Sequence, residues 1–124
     1  MLGAAERRVI LDHCRAAAPR EGCGLLAVSE GAVVAVYPTG NDADGLDAFV
    51  VPPAEHFAAL TDAEGRGWSL GGSFHSHPTG RAEPSARDVA AALDPGWAYL
   101  VVGGDEAIRA WRITAGSVSE ILLV

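Results

Sequence analysis

The chain contains no lysine; its nine basic residues are all arginine. They are outnumbered by 16 acidic residues, which leaves a net charge of −7. That balance argues against sequence-independent nucleic-acid binding, which rests on neutralising phosphates with cationic side chains. No apolar run approaches the roughly 18 to 20 residues of a membrane span. Met1 to Arg8 lack the order of charge, apolar run and small cleavage site that marks a secretory signal. These absences predict a cytoplasmic protein with neither nucleic-acid nor membrane partners. Cysteine is scarce as well: Cys14 and Cys23 are the only two, and they form no C-x-x-C pair. In a reducing cytosol they read as buried thiols acting as small hydrophobes, not as a disulfide.

What is present suits one compact unit. A chain of 124 residues that is 49% apolar and 20% charged is expected to form a single domain, residues 1–124, with its own core. Ala-rich residues 4 to 18 carry Val9, Ile10, Leu11 and Cys14 and read as an amphipathic helix ending before Pro19. Gly24 to Ser29 and Ala32 to Tyr37 read as a hairpin around Glu30-Gly31. Thr39 to Asp47 is a loop, and Phe49 to Val51 a short strand. Pro52-Pro53 opens a helix to about Ala63. A strand from Trp68 to Phe74, a loop from Pro78 to Pro84 and a helix from Ser85 to Leu93 follow. Trp97 to Val102, Ala107 to Ile113 and Val118 to Val124 close the chain as strands. This order predicts an α+β fold whose central sheet is mixed, mostly antiparallel, and flanked by helices. The tryptophans Trp68, Trp97 and Trp111 are expected in the core. Nothing in the sequence requires an oligomer.

The densest chemistry lies between His75 and Asp88. His75-Ser76-His77 is followed, after seven residues, by Ser85, and after two more by Asp88. Alternate strand residues share a face, so the two imidazoles can point together. Positions i and i+3 of a helix do the same for Ser85 and Asp88. Two imidazole nitrogens and one carboxylate oxygen make a three-ligand set with one position open, the pattern of a catalytic metal site. Taken alone, Ser85-x-x-Asp88 reads more readily as a helix N-cap with an acidic residue at N3, because such caps are common. The two readings are compatible. Glu21, in Arg20-Glu21-Gly22-Cys23-Gly24, would ordinarily be a turn carboxylate, and His13 and His56 read as surface or core-edge residues. Asn41-Asp42-Ala43-Asp44-Gly45 faintly resembles a calcium loop but lacks its twelfth-position Glu, so a solvated acidic loop is expected.

On these residues the chain resembles the JAMM (MPN+) zinc metallopeptidases. Their motif is an upstream Glu, then H-S/T-H, seven residues, Ser, two residues and Asp. Glu21, His75, Ser76, His77, Ser85 and Asp88 match it without a departure in spacing. Glu21-Gly-Cys-Gly-Leu-Leu, His77-Pro78 and Pro84-Ser85 are also similar to the compact bacterial branch. The resemblance spans the chain and implies the MPN (cytidine-deaminase-like) fold. It implies that His75, His77 and Asp88 bind one Zn²⁺, that Glu21 is the general base, and that Ser85 donates a hydrogen bond to the oxyanion. Other zinc hydrolases are excluded. Deaminases need H-x-E and P-C-x-x-C, zincins need H-E-x-x-H, and H-x-H amidohydrolases need a barrel of about 250 residues.

The resemblance also implies a reaction. Family members cleave amide or isopeptide bonds after the C-terminal Gly-Gly of ubiquitin-like proteins. Small bacterial members act on sulfur-carrier proteins with that tail, some releasing cysteine in cysteine biosynthesis. A carrier-specific amide hydrolase is therefore the leading expectation. A general isopeptidase acting on lysine-linked modifiers, and a non-catalytic MPN scaffold, are the alternatives. A GC-rich coding bias, visible in the many Ala, Gly, Val and Arg residues, accounts for the missing lysines. A further hypothesis is that an enzyme of lysine-linked modifiers gains from offering none itself; surface lysines introduced by substitution that stayed unmodified in the native host would remove it.

Overall fold

The computed structural model describes residues 2–123. The elements in chain order are α1 (Ala4–Ala17), β1 (Cys23–Ser29), β2 (Ala32–Thr39), α2 (Pro53–Gly65), β3 (Ser69–Ser76), α3 (Ala86–Ala91), β4 (Ala98–Val102), β5 (Ile108–Thr114) and β6 (Ser117–Ile121). The strands form one sheet in the order β2-β1-β3-β4-β5-β6. All neighbours are antiparallel except β3 and β4, which run parallel. The mixed, mostly antiparallel sheet expected from the sequence is therefore present.

Residue type explains the joins. Glu30 and Gly31 both take positive φ, 52° and 79°, as a two-residue hairpin turn with the twist of its strands requires. Pro53 opens α2 as its first residue, where a missing N–H costs no hydrogen bond. Ile10 and Cys14 on α1 pack onto one face of the sheet against Leu26, Phe74, Leu100 and Val102. Gly22 lets α1 approach, since a Cβ there would stand 2.8 Å from Cys14 Cα. Both cysteines are buried free thiols, as expected. α2 covers the other face through buried Ala59 and Ala63. Along β3, Phe74 and Ser76 thus face α1, while Ser73 and His75 face the opposite side.

Four local expectations are corrected. Phe49 to Val51 forms no strand; the Val50 carbonyl accepts from the Asp42 N–H at 2.9 Å within its own loop instead of joining the sheet. α3 stops at Ala91, not Leu93, because Ala92 is already extended and Pro95 disfavours helix in the residue before it. The tryptophans are half-buried, not core. Trp68 and Trp97 stand just outside their strands, and the indole N–H of Trp111 needs the Ala82 carbonyl at 3.0 Å, near the surface. The last strand ends at Ile121, and Val124 lies outside the described residues. No described helix is long and apolar enough to cross a membrane.

Candidate active site

The parallel pair β3–β4 builds the site. Strand alternation turns His75 and His77 to one face, and the His77 N–H donates to the Val102 carbonyl at 2.8 Å, which extends β3's pairing one residue past its end. α3 begins after the following loop. Its first turn is a capping box: Ser85 Oγ accepts the Asp88 N–H at 3.1 Å, and Asp88 Oδ2 accepts the Ser85 N–H at 2.8 Å.

That same Oδ2 stands 2.9 Å from His75 Nε2 and 3.2 Å from His77 Nε2, and the two nitrogens are 3.2 Å apart. Three ligand atoms thus form a small triangle. Tetrahedral bonds of about 2.0 to 2.1 Å would set such atoms about 3.3 Å apart, so the triangle is close to one face of a tetrahedral site. The chemistry of the donors agrees. His77 Nδ1 lies 2.9 Å from the Arg81 carbonyl, which can only accept, so Nδ1 carries the proton and Nε2 presents a lone pair. Facing a carboxylate and a second imidazole, that nitrogen is satisfied by a cation: a proton donated to Asp88 in the metal-free chain, or a metal ion in the proton's place. Burial opposes the Asp88 charge, but hydrogen bonds with His75 and His77 outweigh it and hold the carboxyl well below the usual range. The Asp88 hydrogen bond raises the pKa of His77 in turn.

Glu21 completes the cluster. It immediately precedes Gly22 at the entry to β1, whose Cys23 is in register with His75. Gly22 is tied to the motif strand twice: its N–H donates to Ser76 Oγ at 2.8 Å, and its carbonyl accepts the Ser76 N–H at 3.0 Å. The carboxylate therefore sits beside the imidazoles, with ligand atoms of Glu21, His75 and His77 all within 4.8 Å of one another. It is only 4% exposed, and its Oε1 is buried with no hydrogen-bond partner. Burial pushes its carboxyl up to about 7, with the charge of His77 opposing and that of Asp88 adding.

All five residues singled out in the sequence meet here. Two contributors were not singled out from the sequence. Phe49, expected on a strand, stacks on the His75 ring with centroids 4.4 Å apart and planes 18° apart. Asn41 spends its amide on backbone groups, one of them the Glu21 carbonyl at 3.0 Å, so it is not offering itself to a cation. Its one legible signal was an amide in an Asp- and Gly-rich loop. His13 is half-buried at the core edge, and His56 lies exposed beside a groove of about 280 Å³ that runs from Asp88 past Phe49, Val50 and Trp97.

A partly buried triad of candidate ligand atoms with an unpaired carboxylate at hand can hold a divalent ion and deprotonate a water. Comparisons with known proteins agree. The Prok-JAB family, prokaryotic homologs of the JAB domain, matches residues 4–114. A desampylase of Haloferax volcanii is 35% identical over 97% of this chain and 91% of its own. A probable TtuB-protein conjugate cleaving protease of Thermus thermophilus is 36% identical over 94% of this chain and 79% of its own. A solution structure from Desulfitobacterium hafniense, 34% identical, superposes with a TM-score of 0.90 over 99% of this chain and 90% of that one. A JAB1/MPN-domain protein of Archaeoglobus fulgidus shares the fold at 17% identity, with a TM-score of 0.64 over 99% and 92% of the two chains. The chain belongs to the prokaryotic JAB-domain family and is an enzyme of its compact JAMM/MPN metallopeptidase branch.

Proposed function

We propose that the protein is a zinc-dependent peptidase that hydrolyses the amide after the C-terminal Gly-Gly of a ubiquitin-like sulfur-carrier protein. The observation that carries this reading is Glu21: a buried carboxylate whose Oε1 has no partner, within 4.8 Å of the His75 and His77 nitrogens that converge with Asp88 Oδ2. His75, His77 and Asp88 would hold one zinc ion, which suits two imidazoles and a carboxylate. Zinc bound there supplies a Lewis acid and lowers the pKa of its water to about 7. Glu21 takes a proton from the attacking water and returns it to the leaving nitrogen as the carbon–nitrogen bond breaks. Ser85 uses an oxygen lone pair to cap α3, so its hydroxyl proton remains available to the carbonyl oxygen as negative charge develops. The groove beside Asp88 is where an extended Gly-Gly tail would lie.

Two leaving amines fit. One is cysteine on the carrier, which would place the enzyme in cysteine biosynthesis. The other is a protein lysine, and the Thermus relative, named for cleaving protein conjugates, favours it. The test gives the zinc-loaded chain a carrier–cysteine adduct and a carrier–lysine conjugate side by side, with products read by mass and metal by elemental analysis. Cleavage at Gly-Gly that disappears in Glu21→Gln is the expected result, and the faster substrate identifies the amine. Full activity in Glu21→Gln, or an intact Gly-Gly bond in both substrates with zinc present, would overturn the proposal.

A further inference from the structure

Between β2 and α2 the chain runs without regular structure from residue 40 to residue 52. One side chain gives this segment its shape. Asn41 Nδ2 donates to the Glu21 carbonyl at 3.0 Å and to the Ala48 carbonyl at 3.1 Å. Its Oδ1 accepts the N–H groups of Ala43 at 2.9 Å and Val50 at 3.0 Å. A carboxamide offers two donor hydrogens and two acceptor lone pairs, so this one is saturated. The Asp42 N–H closes the same neck onto the Val50 carbonyl at 2.9 Å. The result is a loop whose ends meet, a form that often carries function. Its neck is fastened to the backbone of Glu21, and Phe49, next to that neck, lies flat on His75.

The geometry points to Asn41 as a positioning residue: its amide ties the loop 41–50 to the Glu21 carbonyl and so seats Phe49 on the His75 imidazole. Two parts of the site that lie far apart in sequence, the Glu21 backbone and the face of His75, are thereby set by one side chain. A purely local role would be confined to the loop. Loss of the amide would then loosen residues 42–50 and leave the His75 environment unchanged. Under the positioning role, His75 and the placement of Glu21 change together.

Asn41→Asp separates the two. It keeps the acceptors facing Ala43 and Val50 but turns the donors facing Glu21 and Ala48 into an oxygen against two carbonyls. The primary readout is carbon–proton NMR of the His75 ring in the full chain, with and without zinc, because a stacked phenyl ring moves those protons upfield. Phe49→Ala sets the unshifted position. Asn41→Asp is expected to move at least about half way towards it, and Asp44→Ala, at the exposed part of the loop, to stay with the wild type. In the wild type, a nuclear Overhauser contact between the Phe49 and His75 rings is required, which tests the arrangement even if a variant does not fold. The kinetic arm rests on the function proposed above. There kcat for Gly-Gly cleavage by Asn41→Asp falls about tenfold or more, since small misplacements of reacting groups are costly, while KM changes by less than about threefold. Wild-type His75 signals in Asn41→Asp, or no contact between the two rings, would overturn the inference. If the wild type cleaved no conjugate, the functional reading would fail while the NMR arm still decided the role of Asn41.

Discussion

Glu21 is held in a setting that suits its neutral form better than its charged one. Burial raises its carboxyl from an ordinary 4.5 to about 7, and no donor compensates Oε1. In the metal-free chain this makes a signed contribution to stability. Between about pH 4.5 and 7 the native state binds more protons at Glu21 than the unfolded state, so stability falls as pH rises through that window, by about 3 kcal/mol in all. His77 adds a slope of the same sign, because Asp88 raises its pKa and the stability it contributes below its unfolded pKa is lost as pH rises through the folded one. Asp88 acts oppositely at the acid end, where its depressed pKa makes stability fall as it is protonated. Chemical denaturation of chelator-treated protein from pH 4.5 to 8 is therefore expected to show a steeper decline in the wild type than in Glu21→Gln. Parallel curves would mean that Glu21 is not destabilised when charged. The base role proposed for Glu21 rests on the family motif in the sequence, because Glu21 lies far from the histidines along the chain. Its lack of a partner is a tertiary fact.

At the scale of the element, α3 is a short helix with no buried residue of its own, so its first turn matters more than its body. One carboxylate oxygen of Asp88 caps the helix and also faces both imidazoles, so the cap and the proposed ligand position are the same atom. The sequence left the cap and ligand readings of Ser85-x-x-Asp88 compatible, and the structure shows the cap formed while its carboxylate oxygen also faces both imidazoles. Ser85→Ala is expected to cost about 1 kcal/mol of stability through the lost cap. It should also lower kcat by about a hundredfold or more if the hydroxyl serves the oxyanion. Ser85→Thr, which caps and donates alike, should recover both. A Ser85→Ala enzyme that melts earlier but turns over normally would leave Ser85 only its capping task. Pattern located the helices and the main strands: α1 buries Ile10 and Cys14 one turn apart, and β5 interleaves buried Ile108, Ala110 and Ile113 with less buried residues, while turn residues bounded the others. It failed at Phe49 to Val51, where β-branched and aromatic residues serve a loop pinned by a side chain, which no period encodes.

At the scale of the whole molecule, the sheet turns a sequence motif into a site. The H-S-H pair ends β3, and Ser85 and Asp88 lie on the crossover that a parallel neighbour requires. Spacing therefore picked out side chains that the structure brings together, but only the topology explains why seven residues intervene: the chain has to leave the sheet, start a helix and point back. Glu21 arrives from β1 on the other side of β3, through a strand order that the sequence left open. Parallel pairing also carries a kinetic consequence. Its contacts join segments distant along the chain, and such pairings form slowly. His77 takes its final place only once Val102 has returned beside it. The zinc ion proposed for this site should therefore be captured late in refolding. In stopped-flow experiments with a zinc indicator, metal uptake is expected to follow the slowest phase of tryptophan burial, and uptake ahead of that phase would show that the ligands gather before the parallel pair. The ion would then act as a timekeeper of assembly: a chain that stalls before β4 docks would carry the whole motif and still be unable to arm itself.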